Sequence, residues 1–122
     1  MTTLVEAKHQ IQNRQVSSRE LVAAAQAAAD RADAQLGVFL TRFDEAALSA
    51  ADEADRATAA GEPLGPLHGL PIAVKDIIET QESATTAQSR VHRPGQPFDA
   101  DVVARLRAAG AVIVGKTTTM EY

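Results

Sequence analysis

Two short apolar runs separated by one helix-length segment constrain the fold of this chain more than any other feature. The runs are residues 72–74 (Ile-Ala-Val) and residues 111–114 (Ala-Val-Ile-Val). The order strand, helix, strand predicts a βαβ unit whose strands are parallel and joined by a right-handed crossover. Both runs are continuously apolar, which is typical of strands covered on both faces of a sheet. The sequence therefore predicts an α/β fold.

The helix between these strands is predicted to begin at Asp99 or Asp101, either of which could cap it. Gly110 stands where a left-handed residue is expected to end it. Residues 115–117 (Gly-Lys-Thr) are predicted to close the second strand. The side chains expected on the buried side of the helix are Val102, Val103, Leu106 and Ala109.

Residues 1–60 have the pattern of successive helices. Thr3 with Glu6 and Ser17 with Glu20 have capping-box spacing, and Gly37 is placed to end the second helix. Residues 37–43 predict a short strand or an extended link, and a third helix is expected from residue 44 until Gly61. The face predicted to be buried in the second helix comprises Leu21, Ala25, Ala28, Ala32 and Leu36, opposite Arg19, Gln26, Asp30 and Asp33. The small face of the third helix comprises Ala47, Ala50, Ala51, Ala54 and Ala57.

The predicted fold is thus α/β, with N-terminal helices (residues 1–60) followed by a βαβ unit with parallel strands (residues 61–122). Two strands cannot form a sheet that is covered on both faces. We therefore expect residues 1–122 to be the N-terminal part of one larger domain and to be incomplete and inactive as an isolated fragment.

Composition excludes several classes of function. The formal net charge is −4, with 12 basic and 16 acidic residues and no basic cluster, so binding to nucleic acid is not expected. The absence of cysteine excludes disulfides, Cys-ligated metals and a thiol nucleophile. His9, His68 and His92 lack metal-ligand spacing, so no metal or cofactor is predicted. Without a signal-like start or a membrane-length apolar segment, a cytoplasmic protein without membrane contact is expected.

Lys75 is the residue whose position suggests chemistry. It follows an apolar strand at the carboxyl end, where open α/β sheets place their sites. A lysine in a dry environment loses its preference for the charged form, and a neutral amine can take a proton from a serine hydroxyl. The alternative is that Lys75 caps the strand with its ammonium in water, and the tripeptide Val-Lys-Asp alone favours this alternative.

Three segments in order carry a resemblance to a known family. Gly65-Pro-Leu-His-Gly-Leu-Pro-Ile-Ala-Val-Lys75-Asp76 resembles the catalytic-lysine segment GPLHGxPxxVKD of amidase signature enzymes. Residues 85–89 (Thr-Thr-Ala-Gln-Ser) are similar to the family's TTxGS segment, and residues 101–117 to its helix–strand–GKT stretch. Glu121-Tyr122 stands where the family commonly has an acidic–aromatic pair.

The resemblance implies an amidase with a Ser-Ser-Lys catalytic system, in which Lys75 is the base. It implies hydrolysis of a small-molecule carboxamide to a carboxylate and ammonia, and it places both serines in a Gly/Ser-rich segment that no part of residues 1–122 matches. Two alternatives stay open: the A subunit of a tRNA-dependent amidotransferase with a protein partner, and a non-catalytic interaction module derived from the family. A homodimer is also left open for the full-length protein.

Some positions depart from the family pattern or have a second interpretation. Gln88 replaces the glycine of TTxGS, and a left-handed backbone would be awkward for it. Ile77 and Ile78 replace polar residues and favour a general amidase over the amidotransferase subunit. Asp76 is expected to bind backbone groups at the strand end. Lys116 lacks the spacing of a phosphate-binding loop, so no nucleotide site is predicted.

Overall fold

The computed structural model describes residues 2–91 and 95–120, which form four helices and three strands. In chain order the elements are α1 (Leu4–Gln12), α2 (Ser18–Leu36), β1 (Phe39–Arg42), α3 (Asp44–Ala60), β2 (Pro71–Lys75), α4 (Asp101–Ala108) and β3 (Val112–Thr117). His92 and the pair Glu121-Tyr122 lie outside the described residues. No helix within the described ranges is long and apolar enough to cross a membrane.

The helices of the first half begin and end where the sequence predicts. Thr3 caps α1 and Ser17 caps α2, each in a complete capping box. Gly37 ends α2 with a φ of +57°, a left-handed conformation that costs glycine little. The small alanine face of α3 is also confirmed, since Ala47 and Ala51 are buried.

The predicted cap of α4 is wrong. The N-cap residue is Ala100, whose side chain makes no capping bond. Asp99 instead accepts hydrogen bonds from the Gln81 N–H and from Nε of Arg107, so its carboxylate ties α4 to the preceding loop. Val102, predicted to be buried, is half exposed. Gly110 does follow the helix with a positive φ, of +93°.

The sheet has three strands in the order β1-β3-β2. β2 and β3 are parallel, as predicted for the βαβ unit, and β1 joins β3 in antiparallel orientation. Of the two alternatives for residues 37–43, the short strand is therefore confirmed, and it gives the βαβ unit a third strand with β3 at the centre of the sheet. Residues 115–117 continue β3 instead of closing it, with Lys116 paired to Val74 and Thr117 to Lys75.

Helices cover β3 from both sides. On one face Val112 and Val114 pack with Val22 of α2 and with Ala47 and Ala51 of α3. The other face places its side chains against α4, and the buried residues there are Phe43, Val74, Val103 and Ile113. This explains why the run at β3 is continuously apolar.

The buried face of α2 differs from the predicted one. Val22 and Ser18 are buried, whereas Leu36 is 71% exposed. Gln26, predicted to face solvent, donates to the Asp44 carbonyl at the start of α3. Asp33 accepts from the Phe39 N–H at the start of β1. The helix turns these polar side chains inward because the neighbouring elements offer backbone groups that need partners.

Toward its carboxyl end, β2 is covered by the described residues on one face only. Val74 is buried toward α4, while Ala73 and Lys75, which point to the opposite face, are exposed. β2 is also an outer strand of the sheet. The carboxyl end of β2 therefore carries an accessible edge and face.

Candidate active site at the end of strand β2

Lys75 is the last residue of β2 and lies opposite Thr117 of β3. Its side chain is exposed, and its amine forms no hydrogen bond or ion pair with any described residue. The structure thus places Lys75 at the carboxyl end of a parallel strand, as predicted. Its predicted shielding in the complete molecule stays a prediction, since residues 2–91 and 95–120 leave this amine open.

Asp76, the residue after Lys75, is held by hydrogen bonds to its backbone and to its side chain. The Asp76 N–H donates to the Thr117 carbonyl at 3.0 Å, and the Asp76 carbonyl accepts from the Ala87 N–H at 3.0 Å. Its side chain is almost fully buried. The expected backbone role of Asp76 is confirmed, because its carboxylate accepts from the Thr86 N–H at 3.2 Å.

Asp76 also forms an ion pair that the sequence analysis did not predict. Its Oδ1 lies 3.1 Å from Nζ of Lys116, and the Lys116 side chain has no exposed surface. Nζ of Lys116 donates a second hydrogen bond, of 2.6 Å, to the Thr85 hydroxyl. The fully buried lysine of this region is therefore Lys116, whose charge is compensated by Asp76.

The two threonines of residues 85–89 complete this arrangement. The Thr86 hydroxyl donates to Oδ2 of Asp76, and the Thr85 hydroxyl, besides accepting from Lys116, donates to the Ile78 carbonyl. Three segments that are separate in the sequence, around residues 75–76, 85–86 and 116–117, thus meet in one buried network. Asp76, Lys116 and Thr85 are buried and Thr86 is partly buried, and we call these four residues the buried tetrad.

The loop after the tetrad has the backbone conformation that the sequence analysis considered awkward. Ala87 and Gln88 have φ values of +49° and +50°. This left-handed region carries a steric cost for residues with a side chain. Gln88 offsets part of that cost, because its Oε1 accepts from the Thr119 N–H at 2.7 Å and ties the loop to the chain beyond β3.

The loop of residues 65–70, which precedes β2, has a structural role. The Leu67 N–H donates to the Ala109 carbonyl and the Gly69 N–H to the Gly110 carbonyl, so the loop lies against the end of α4. Nε2 of His68 is 3.0 Å from both the Thr58 hydroxyl and the Ala54 carbonyl. The prediction that His68 is structural is consistent with these contacts.

A groove away from β2 has its charged side chains engaged in structural contacts. It has a volume of about 320 Å³ and lies between α1, α2 and α3. Arg14 donates to the Thr58 carbonyl, Glu20 caps α2, and Asp55 accepts from the Ser18 and Arg19 N–H groups. Among the described residues, no group of three His, Cys, Asp or Glu side chains is arranged to hold a metal ion.

Comparison with known proteins decides the family. The family model described as Amidase matches residues 20–122. The chain belongs to the amidase family. This amidase family chain is 43% identical over 119 residues to the putative amidase AmiD of Mycobacterium tuberculosis. It is 48% identical over 93 residues to the A subunit of the glutamyl-tRNA(Gln) amidotransferase of Salinispora tropica.

The amidase family chain covers only part of the proteins it resembles. These two matches include 97% and 74% of the chain but 25% and 18% of the two relatives. A crystal structure of an amidase superposes with a TM-score of 0.90 at 32% identity, covering 98% of this chain and 27% of the amidase. The partial α/β fold and the resemblance to amidase signature enzymes are thereby confirmed.

Sequence reasoning on this amidase family chain singled out Lys75 and Asp76 but missed the buried contacts of Lys116. The available signal was that Lys116 follows the apolar run of residues 111–114 by two positions, but only its likeness to a phosphate-binding motif was considered. The partners of Lys116 are 31 and 40 residues away in sequence, so spacing could not reveal them.

Proposed function

We propose that this chain is the N-terminal part of an amidase that hydrolyses a carboxamide to a carboxylate and ammonia through a Ser-Ser-Lys system, with Lys75 as the base. The observation that carries the proposal is the Lys75 amine, which has no partner among the described residues and extends from the carboxyl end of a parallel strand within a motif of the family. In open α/β sheets this edge is where ligands bind.

In the proposed reaction the neutral Lys75 amine takes the proton of the nucleophilic serine through a bridging serine. The serine oxygen then attacks the amide carbonyl, and backbone N–H groups stabilise the oxyanion. The C–N bond breaks as the proton passes to the leaving nitrogen, which releases ammonia. Water then attacks the acyl-serine ester, the carboxylic acid leaves, and the serine regains its proton. The two serines are proposed to come from the remainder of the protein.

The proposal selects Lys75 over the other lysines by their surroundings. Lys116 is completely buried and bonded to Asp76 and Thr85, so its amine cannot meet a serine without breaking that network. Lys8 lies on α1, within the helical first half of the chain. Only the Lys75 amine combines access with a position at the carboxyl edge of β2.

The test uses the complete gene product that contains this chain and measures ammonia release from aliphatic, aromatic and peptide carboxamides. We expect Lys75→Ala to lower kcat/KM by at least about 10³-fold, within the range that a general base contributes. The matched control Lys8→Ala should retain activity. Added methylamine should restore part of the activity of Lys75→Ala and leave the control unchanged. Turnover by Lys75→Ala equal to that of the control would contradict the proposal.

A second candidate function is the A subunit of a tRNA-dependent amidotransferase. It is favoured by the 48% identity to a protein of that name. An amidotransferase of this kind passes the released ammonia to a misacylated tRNA and needs a protein partner to do so. Efficient ammonia release from simple carboxamides by the purified protein alone would support the amidase. Activity that requires a partner and misacylated tRNA would support the amidotransferase.

We further propose a cytoplasmic location for either function.

A further inference from the structure

We infer that the buried tetrad positions Lys75 for catalysis, with Asp76 and Lys116 as its two positioning residues. This inference rests on the proposed function, because it assigns a role relative to Lys75 as the base. The tetrad does not touch the substrate. It acts by holding the backbone from which the Lys75 side chain extends.

The first step of the argument is the contrast between neighbouring residues. The Lys75 side chain has no partner among residues 2–91 and 95–120, whereas residue 76 is held by two backbone hydrogen bonds and three contacts to its carboxylate. The direction of an unrestrained side chain depends on the backbone that carries it. The Lys75 backbone is held by its pairing with Thr117 and by the Ile78 N–H. Asp76 is the adjacent residue whose side chain also fixes that backbone.

The second step concerns which elements the tetrad connects. Asp76 follows β2, and Lys116 belongs to β3. Thr85 and Thr86 belong to the loop between β2 and α4. The hydrogen bonds and the ion pair join the ends of the two strands and the loop at one point. A shift of any of these elements would be transmitted to residue 76 and so to Lys75.

The third step is that stability alone does not account for a charged pair at this position. Lys116 and Asp76 are both almost completely buried, and removing two charges from water costs much of what their attraction provides. Apolar residues of similar volume are often as stabilising as a buried ion pair. Directional bonds between charged groups, in contrast, specify one arrangement of the strand ends.

The test compares variants of the complete, purified amidase by kcat, KM and thermal unfolding. The double variant Asp76→Asn/Lys116→Met removes both charges together, so neither is left buried without a partner. We expect it to unfold near the wild-type temperature but to have a kcat lower by about 10- to 100-fold, with KM within about threefold. If the pair only stabilises the fold, a double variant that unfolds at the wild-type temperature should also have the wild-type kcat.

A second pair of variants keeps the inference testable if the double variant does not fold. Thr86→Val preserves shape but removes the hydroxyl that donates to Asp76, and Thr86→Ser restores that hydroxyl. We expect Thr86→Val to lower kcat about 10-fold at unchanged KM and Thr86→Ser to regain most of it. Equal kcat values for Thr86→Val and Thr86→Ser, or wild-type kcat in the folded double variant, would overturn the inference.

The outcome for Lys75→Ala separates the two proposals. If Lys75→Ala is inactive and the tetrad variants keep full kcat, the positioning role fails and the proposed function stands. If Lys75→Ala is fully active, the proposed function itself fails.

Discussion

At the scale of single residues, Gly65 shows how closely the loop before β2 approaches the end of α4. A Cβ atom added at Gly65 would lie 2.3 Å from the Ala109 carbonyl oxygen and 2.7 Å from its carbonyl carbon. Backbone atoms cannot move aside as a flexible side chain can, so the loop would have to shift. The same loop leads into β2 and therefore influences where Lys75 lies.

We predict that Gly65→Ala destabilises the complete protein by about 1–3 kcal/mol, the usual cost of overpacking. Gly95→Ala is the matched control, because a Cβ at Gly95 meets no atom of the described residues within 4 Å. Its effect should stay within about 0.5 kcal/mol. Denaturant unfolding of both variants measures the difference, and equal stabilities would show that the loop does not press against α4 as described.

At the scale of elements, the start of α2 shows how local sequence sets a helix boundary. The Ser17 hydroxyl accepts from the Glu20 N–H at 3.0 Å, and the Glu20 carboxylate accepts from the Ser17 N–H at 2.8 Å. These are bonds between residues three apart, so they form without help from the rest of the fold. That independence explains why the beginning of α2 could be predicted from the sequence.

The capping box predicts a pH dependence of stability. The Ser17 backbone N–H, followed by the Ser17 side chain, lowers the pKa of Glu20 below its ordinary value of 4.5. A carboxyl group with a lowered folded pKa stabilises the protein above its unfolded pKa, and this stabilisation is lost as pH falls through the folded pKa. We therefore expect the stability difference between wild type and Glu20→Gln to be constant near neutral pH and to shrink below about pH 4.5.

Thermal unfolding of both proteins, measured between pH 3 and 7 in steps of about half a pH unit, checks this expectation. Glu53→Gln is the control, because Glu53 is an exposed carboxyl on another helix, α3. Its difference from wild type should change less with pH than that of Glu20→Gln. A Glu20→Gln difference that does not vary with pH would contradict the assigned role of the Glu20 carboxylate.

At the scale of the whole molecule, the open side of β2 is the feature with the largest consequences. Ala73 and Lys75 are exposed on one face, and β2 is an outer strand whose free side pairs with no other described strand. Exposed strand edges pair readily with other chains. The relatives are about four times longer or more, and we expect the remainder of the protein to cover this side.

We predict that residues 1–122 self-associate when produced alone, and that Ala73→Glu shifts them toward the monomer by placing charge beside the open edge. In the complete protein the same substitution should destabilise by at least about 2 kcal/mol, because it would bury a charge. Ala24→Glu, at an exposed position of α2, is the control for both measurements. Light scattering measures the self-association of residues 1–122, and thermal unfolding measures the destabilisation of the complete protein. A wild-type 1–122 chain that is monomeric and folds cooperatively would contradict the prediction.

Local patterns in the sequence determined the element order, the capping boxes, the parallel pair of β2 and β3, and the place of Lys75 at a strand end. Each of these depends on residues that are close in the chain or on the periodicity of one element. The tertiary structure decided that residues 39–42 form a strand paired with β3, that Gln26 points inward, and which groups Asp99 binds. It also decided that Lys116 is the buried lysine, since its contacts with Asp76 and Thr85 exist only when β2, β3 and the loop have come together.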